Sequence, residues 1–257
     1  MKRVLVIGGS DSGAGAGIQA DLKTLHALGL HVSTVITAVT AQDTVAVHAV
    51  HPVPATVIAA QLKAVIDDIG ADVVKTGMLG TSAAVHAVVD AVAGLPLVVD
   101  PVGVASTGQP LLDPDALVLL RSALLPLATV VTPNLAEVEA LTGFEVRGAD
   151  DLIEGAKRVQ ALGPRWVLLT GGHLDGPPTD LLYDGTEAIE FVGTRVATAH
   201  THGSGCTLAS ALAGYLALGH DVPQAARLAK ELTARAIAEG YPLGSGSGPV
   251  RQGQSRG

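Results

Sequence analysis

Cysteine is nearly absent from this chain of 257 residues: Cys206 is the only one. A lone thiol excludes an internal disulfide and removes the usual basis of a structural zinc site. Aromatic side chains are almost as scarce, with two Phe, one Trp and three Tyr. The 16 Lys and Arg against 24 Asp and Glu form no basic block, so a nucleic-acid partner is not expected. No apolar run approaches the roughly 18 residues that a membrane helix needs, so a membrane partner is not expected either. The start, "MKRVLVIGGS", reads as a first strand rather than a signal peptide, because its apolar run is short and ends in glycines. A cytoplasmic protein is the simple expectation. The net charge of −8 means that any bound phosphate must be met by a local field from helix N-termini, backbone N–H groups or a metal ion.

What is present is material for a large core: 48% of the residues are hydrophobic and the mean hydropathy is +0.42. With so few aromatics, Val, Leu, Ile and Ala must fill it. Short β-branched or leucine-rich runs alternate with alanine-rich segments of helical period. Strands are expected at 3–9, 32–42, 44–53, 71–79, 96–102, 128–134 and 165–172. Helices are expected at 18–29, 55–70, 82–94, 115–125, 135–143, 149–163, 206–219 and 223–239. Residues 180–193 read as a hairpin turning at Asp184-Gly185. This alternation predicts an α/β fold with a mostly parallel sheet covered on both faces. No repeat or linker divides the chain, so 1–257 is expected as one domain, with 244–257 a Gly/Ser-rich, partly mobile tail. Ligands in such sheets bind beyond the carboxyl ends of the strands, which points to the loops leaving them.

Those loops hold the chemistry. "GGSDSGAGAGIQADLKT" (8–24) puts Gly13, Gly15 and Gly17 before a helix, allowing close backbone approach. It lacks the third glycine of the dinucleotide fingerprint. Asp21, one turn into that helix, helps the macrodipole or meets a substrate hydroxyl. Gly203, Ser204 and Gly205 place successive N–H groups at a helix start, an arrangement suited to developing negative charge. No Lys follows them, so this is not a Walker loop. Cys206 behind them is either an inert small side chain or part of a reaction centre. Asn134 and Glu137 form a helix cap, or they join Asp100, at the end of an apolar strand, in holding waters around Mg2+. Gln42 offers a donor and an acceptor to an amino group and adjacent ring nitrogen, or is simply solvated. The nine histidines show no metal-ligand spacing.

In order along the chain stand "GSDSGAGAGIQADLKT", "VITAVTAQ", "KTGMLG", "VVDPV", "LLPLATVVTPNLAEVEALTG", "TGGHLDG" with "DLLYDG", and "THGSGCTLASALAGYLA". Together they closely resemble the hydroxymethylpyrimidine/phosphomethylpyrimidine kinases of thiamine biosynthesis, within the ribokinase-like superfamily, over about 8–250. The resemblance implies a ribokinase-like three-layer α/β/α fold, Mg2+, and ATP as phosphoryl donor. It implies 4-amino-5-hydroxymethyl-2-methylpyrimidine as acceptor, phosphorylated first to the monophosphate and then to the diphosphate. Gln42 would read the aminopyrimidine edge, with Asp21, Met78 and Gly9 lining the same pocket. Asn134, Thr170, Gly172 and Thr198 would meet the nucleotide and its phosphates, and Glu137 with Asp100 would act on Mg2+ through water. Gly203, Ser204 and Gly205 match the anion hole, and Cys206 takes the place many relatives give to a catalytic Asp. A thiol at a helix N-terminus can have a lowered pKa, so a Cys206 thiolate is the expected base. Relatives often dimerise, which makes a homodimer the expectation.

Three departures from the family pattern stand out. Thr170 and Ala199 replace commonly found lysines, Gly103 replaces the Met of "DPVM", and Ser245 and Ser247 replace two histidines of "GHGHGPV". Two other readings compete: pyridoxal kinase activity, alone or in addition, and a non-catalytic sensor of thiamine precursors.

Overall fold

Four consecutive residues, Val4 to Ile7, show how the layers arise. Side chains alternate across a strand, and Val4 and Val6 enter one apolar cluster while Leu5 and Ile7 enter another. In a computed structural model that describes residues 1–105 and 108–253, these clusters lie on opposite faces of one sheet. The chain runs through β1 (Arg3–Ser10), α1 (Gly17–Ala27), β2 (His31–Gln42), β3 (Val47–Pro52), α2 (Ala55–Asp68), β4 (Val73–Thr76), α3 (Ser82–Val92) and β5 (Leu97–Val99). It continues through α4 (Pro114–Leu119), β6 (Val130–Val131), α5 (Leu135–Thr142), α6 (Leu152–Gln160), β7 (Trp166–Thr170), β8 (Thr179–Tyr183), β9 (Ala188–Val192), α7 (Ser204–Ala217) and α8 (Val222–Ala238). Helices α2 to α6 supply one cluster, and α1, α7 and α8 the other. Burying a Val or Leu side chain in such a layer contributes about 1.5–3 kcal/mol. The result is the three-layer α/β fold that the alternation predicts.

The strand order is β3-β2-β1-β4-β5-β6-β7-β8-β9. The run from β2 to β7 is parallel, and β3, β8 and β9 add antiparallel edges. From β1 the chain goes to β2 on one side and later returns to β4 on the other. That reversal opens a crevice at the carboxyl ends of β1 and β4, the place where open α/β sheets bind ligands. Among the described residues no helix is long and apolar enough to cross a membrane.

Local polar chemistry shifts three boundaries. The strand expected from 44 begins at Val47, because Asp43 Oδ1 accepts the N–H groups of Val45 and Ala46 and turns the chain first. The hairpin expected at Asp184-Gly185 takes a longer turn, since Asp184 Oδ1 accepts from Thr186 and Glu187 N–H. The segment from 244, expected as a partly mobile tail, lies across the carboxyl-end loops. Gly246 N donates to Thr44 Oγ1 at 3.1 Å, Val250 N to His202 O at 3.0 Å and Gln252 Nε2 to Gly15 O at 2.8 Å. A Cβ at Gly246 would come within 1.9 Å of Thr44 O, so only glycine allows this approach. Residues 254–257 of that tail lie outside the described residues, as do 106 and 107 of the loop after β5.

Candidate active site

The loops leaving β1, β2, β4, β5, β6 and β7, with the start of α7, enclose a cavity of about 590 Å³. Its floor is the end of β1. A Cβ at Gly9 would meet Met78 Sδ at 2.9 Å, so glycine lets Met78 close one wall. The loop after β1 is built around Asp11, whose carboxylate accepts from Gly13, Gly15 and Ala16 N–H.

At 203–206, the expected phosphate cradle, the chain turns at Gly203 with φ +81° and enters α7 at Ser204. A Cβ at Gly203 would come within 1.9 Å of Gly15 O. The cradle is therefore packed directly on the loop after β1. The first N–H groups of a helix lack intrahelical partners and carry partial positive charge, which is what a transferring phosphoryl group requires.

Cys206 differs from its expectation. Burial pushes its thiol up to about 12, with Asp100 and Asp21 adding to the rise and Lys75 working against it. The helix start does not outweigh desolvation and two nearby carboxylates, so the resting side chain is a thiol, not a thiolate. Asp100 also borders the cavity, and its own carboxyl is pushed up to about 6, chiefly by burial.

Asp21 also differs. It is buried, and its oxygens are taken up by Lys75 Nζ at 3.0 and 3.1 Å and by Ser210 Oγ at 2.6 Å. It borders the cavity, but its polar groups are bound to protein. Lys75, which nothing in the sequence reading singled out, is wholly buried and lies 3.7 Å from Asp100 Oδ2. It is the only Lys or Arg among the described residues that line the cavity. The signal was a lysine inside the buried strand "VVKT", where an unpaired charge is not tolerated.

Asn134 and Glu137 make a capping box: Glu137 N donates to Asn134 Oδ1 and Asn134 N to Glu137 Oε2, both at 2.9 Å. Both also line the cavity, so the cap fixes Glu137 beside it. Burial, then Asp100, pushes the Glu137 carboxyl up to about 8. Asp100 Oδ2 is buried without a hydrogen-bond partner. Two crowded carboxyls, one oxygen unpartnered, form a donor set that a hard cation would relieve. Among the described residues no group of three or more His, Cys, Asp or Glu converges to cage a metal.

Gln42 borders the cavity at the end of β2, within reach of His202 and Thr40. Thr170 lines it at the end of β7. Gly172 and Thr198 do not reach the lining: Gly172 O is held by Arg195, and Thr198 Oγ1 accepts from His200 N. Among the described residues a Cβ at Gly103 would meet only Pro101 O, at 3.9 Å, so the missing side chain leaves space between Val102 and Val104, which line the cavity. Ser247 lines the cavity and donates to Ala199 O.

Comparison with known proteins agrees with this geometry. The phosphomethylpyrimidine kinase family model matches residues 11–251. A hydroxymethylpyrimidine/phosphomethylpyrimidine kinase of Streptomyces coelicolor is 52% identical over 256 residues, covering 99% of this chain and 95% of that protein. The structure of an ADP complex of Bacillus subtilis pyridoxal kinase superposes with a TM-score of 0.92 at 40% identity, covering 98% of this chain and 97% of that one. Phosphomethylpyrimidine kinase from Clostridium difficile gives 0.82 at 39% identity, covering 92% and 100%. A glycine-lined helix start that shares one cavity with a carboxamide, in a chain matched over nearly the whole length of such relatives, places this chain in the phosphomethylpyrimidine kinase family.

Proposed function

We propose that this cavity carries two successive phosphoryl transfers from ATP, first to the hydroxymethyl group of 4-amino-5-hydroxymethyl-2-methylpyrimidine and then to the resulting monophosphate. The observation that carries the reading is that Gln42 and Gly203–Cys206 line a single cavity. A carboxamide that pairs with an aminopyrimidine edge holds the ring, and the cradle receives the group in transit. Phosphoryl transfer needs chiefly such alignment and charge stabilisation.

The chain's own residues divide the work. The N–H groups of Gly203, Gly205 and Cys206 meet the equatorial oxygens as charge spreads over them, while the Ser204 N–H is held by Thr201 O. Cys206 accepts the hydroxymethyl proton while passing its own to Asp100, the more readily ionised of the two groups. Asn134 and Thr170 border the phosphate side. Glu137 and Asp100 would hold Mg2+, in part through water, and the ion would supply positive charge between the phosphate oxygens of ATP. The expected homodimer belongs to the same proposal, and sedimentation of the purified chain tests it.

Mass detection of products tests the reaction. With ATP and the pyrimidine alcohol, monophosphate should appear first and diphosphate second. Pyridoxal kinase activity is the second reading, favoured by the close superposition on the B. subtilis pyridoxal kinase and by the open space at Gly103. Higher kcat/KM on pyridoxal than on the pyrimidine would overturn the first reading.

A further inference from the structure

The carboxamide of Gln42 has two anchors, and the charge pattern of those anchors decides which way round it stands. As placed, its Nε2 lies 3.4 Å from His202 Nε2 and its Oε1 3.5 Å from Thr40 Oγ1. The two ends have the same shape, so their hydrogen-bond partners assign them.

His202 Nε2 also lies 3.3 Å from Asp11 Oδ2. Asp11 binds three backbone N–H groups as well, and these with His202 hold its carboxyl below the usual range although burial opposes them. An ionised oxygen at that distance needs a proton on the facing ring nitrogen, so His202 carries hydrogen on Nε2. That nitrogen then has no lone pair to offer Gln42. At the other end, Thr40 Oγ1 gives its only proton to Ser10 O at 2.9 Å and keeps lone pairs free to accept. Both anchors favour one arrangement: the carboxamide oxygen toward His202 and its NH2 toward Thr40.

His202 is itself immobile. It is buried, its backbone is bonded on both sides to Gly248 and Val250, and a Cβ at Gly15 would come within 2.3 Å of its ring. We propose that His202 is a specificity-determining positioning residue, which with Thr40 fixes the orientation of the Gln42 carboxamide and so the order of acceptor and donor that the cavity presents to the ligand. This rests on the reading of Gln42 as the group that pairs with the aminopyrimidine.

The order matters because the ligand cannot adapt to its reversal. In 4-amino-5-hydroxymethyl-2-methylpyrimidine the amino group stands beside the carbon that bears the hydroxymethyl. Turning the ring over to suit a reversed carboxamide would carry the hydroxymethyl away from the cradle. A carboxamide free to rotate would present the wrong order part of the time and read the amino group poorly.

The test compares kcat/KM for the aminopyrimidine alcohol and for its analogue lacking the 4-amino group. In the unmodified enzyme the amino compound should be preferred. In His202→Ala the preference should fall about tenfold, equivalent to about 1.4 kcal/mol. His202→Gln, which can still donate to Asp11 and contact Gln42, should recover most of it. Thr40→Val removes the other anchor without touching the packing under Gly15, and serves if His202→Ala does not fold; the same drop is expected. Equal losses on both compounds in these variants, with the preference intact, would overturn the inference. An unmodified enzyme with no preference for the amino group would overturn the reading of Gln42 and the inference with it.

Discussion

Lys75 Nζ stands 3.0 Å from Asp21 Oδ1, and both side chains are almost entirely withdrawn from water. Such a pair is costly to break from one side, because the remaining charge is left buried and uncompensated. Lys75→Met should therefore lower unfolding stability by about 3–5 kcal/mol, read from urea midpoints. The paired change, Lys75→Met with Asp21→Asn, should recover part of that loss. A single variant within 1 kcal/mol of the parent would show that the pair is not what holds α1 to β4.

Glu137 gives the protein a pH dependence of defined sign. Its carboxyl ionises near 4.5 in the unfolded chain and near 8 in the folded one. Between those values the folded state keeps a proton that the unfolded state has released. The group's contribution to stability is complete below pH 4.5 and is lost as pH rises through about 8. Without Mg2+ or nucleotide, the urea midpoint should fall from pH 5 to pH 8. Glu137→Gln should flatten that slope in part, leaving the share due to Asp100. An equally steep slope in the variant would contradict the assignment.

The neutral thiol of Cys206 predicts slow chemistry with alkylating reagents. Since only the thiolate reacts, iodoacetamide modification should be far slower at pH 8 than for a free thiol, and should accelerate only as pH approaches about 12 or the chain unfolds. Cys206→Ala should lower kcat by about 100-fold as a lost proton relay, with the melting temperature little changed. Rapid labelling at pH 7 would mean that the thiolate is already present.

Gly203→Ala should disable the cradle. The residue holds φ +81°, and its new Cβ would fall 1.9 Å from Gly15 O. Strain at such a position costs about 1–3 kcal/mol, and relieving the overlap must push α7 away from the loop after β1. The expected outcome is loss of most kcat, with a lower melting temperature. Full activity would show that the cradle tolerates displacement.

Thr170→Lys places a cation at the side of the cavity proposed for the ATP phosphates, where, among the described residues, Lys75 is otherwise the sole Lys or Arg and is already paired. A hydrogen bond to a charged group contributes about 1.5–3 kcal/mol. KM for ATP should drop about tenfold, with kcat changed much less. An unaltered KM would mean that the phosphates lie elsewhere.

The periodicity of the chain made the layers legible, because strand alternation and helical spacing are set by local geometry that survives in the folded state. Val4 to Ile7 show this within a single strand. The turn into α7 was legible for the same reason, since glycines stand directly before a helical period. The ionisation of Cys206 was not. It depends on Lys75, Asp21 and Asp100, which the sequence spreads over a strand, a helix and the loop after another strand. The pairing of Asp21 was hidden for a related reason, since a carboxylate near a helix start gives no sign that a buried lysine on another strand will bind it. His202 gave no signal, because its partners Asp11 and Gln42 lie far from it in sequence.

The segment from 244 to 252 has a consequence for how the molecule comes into being. Gln252 reaches back across 237 positions to Gly15, and Val250 bonds to the carbonyl of His202. A growing chain therefore carries Gln42, Asp100 and Cys206 well before these late residues have been translated. Translation proceeds at about 5–20 residues per second, so an assembled but unlaced sheet exists for seconds while α8 and the segment after it are still to come. A ribosome stalled before 246 would hold a chain whose loop after β1 had not yet met the segment from 246 to 252.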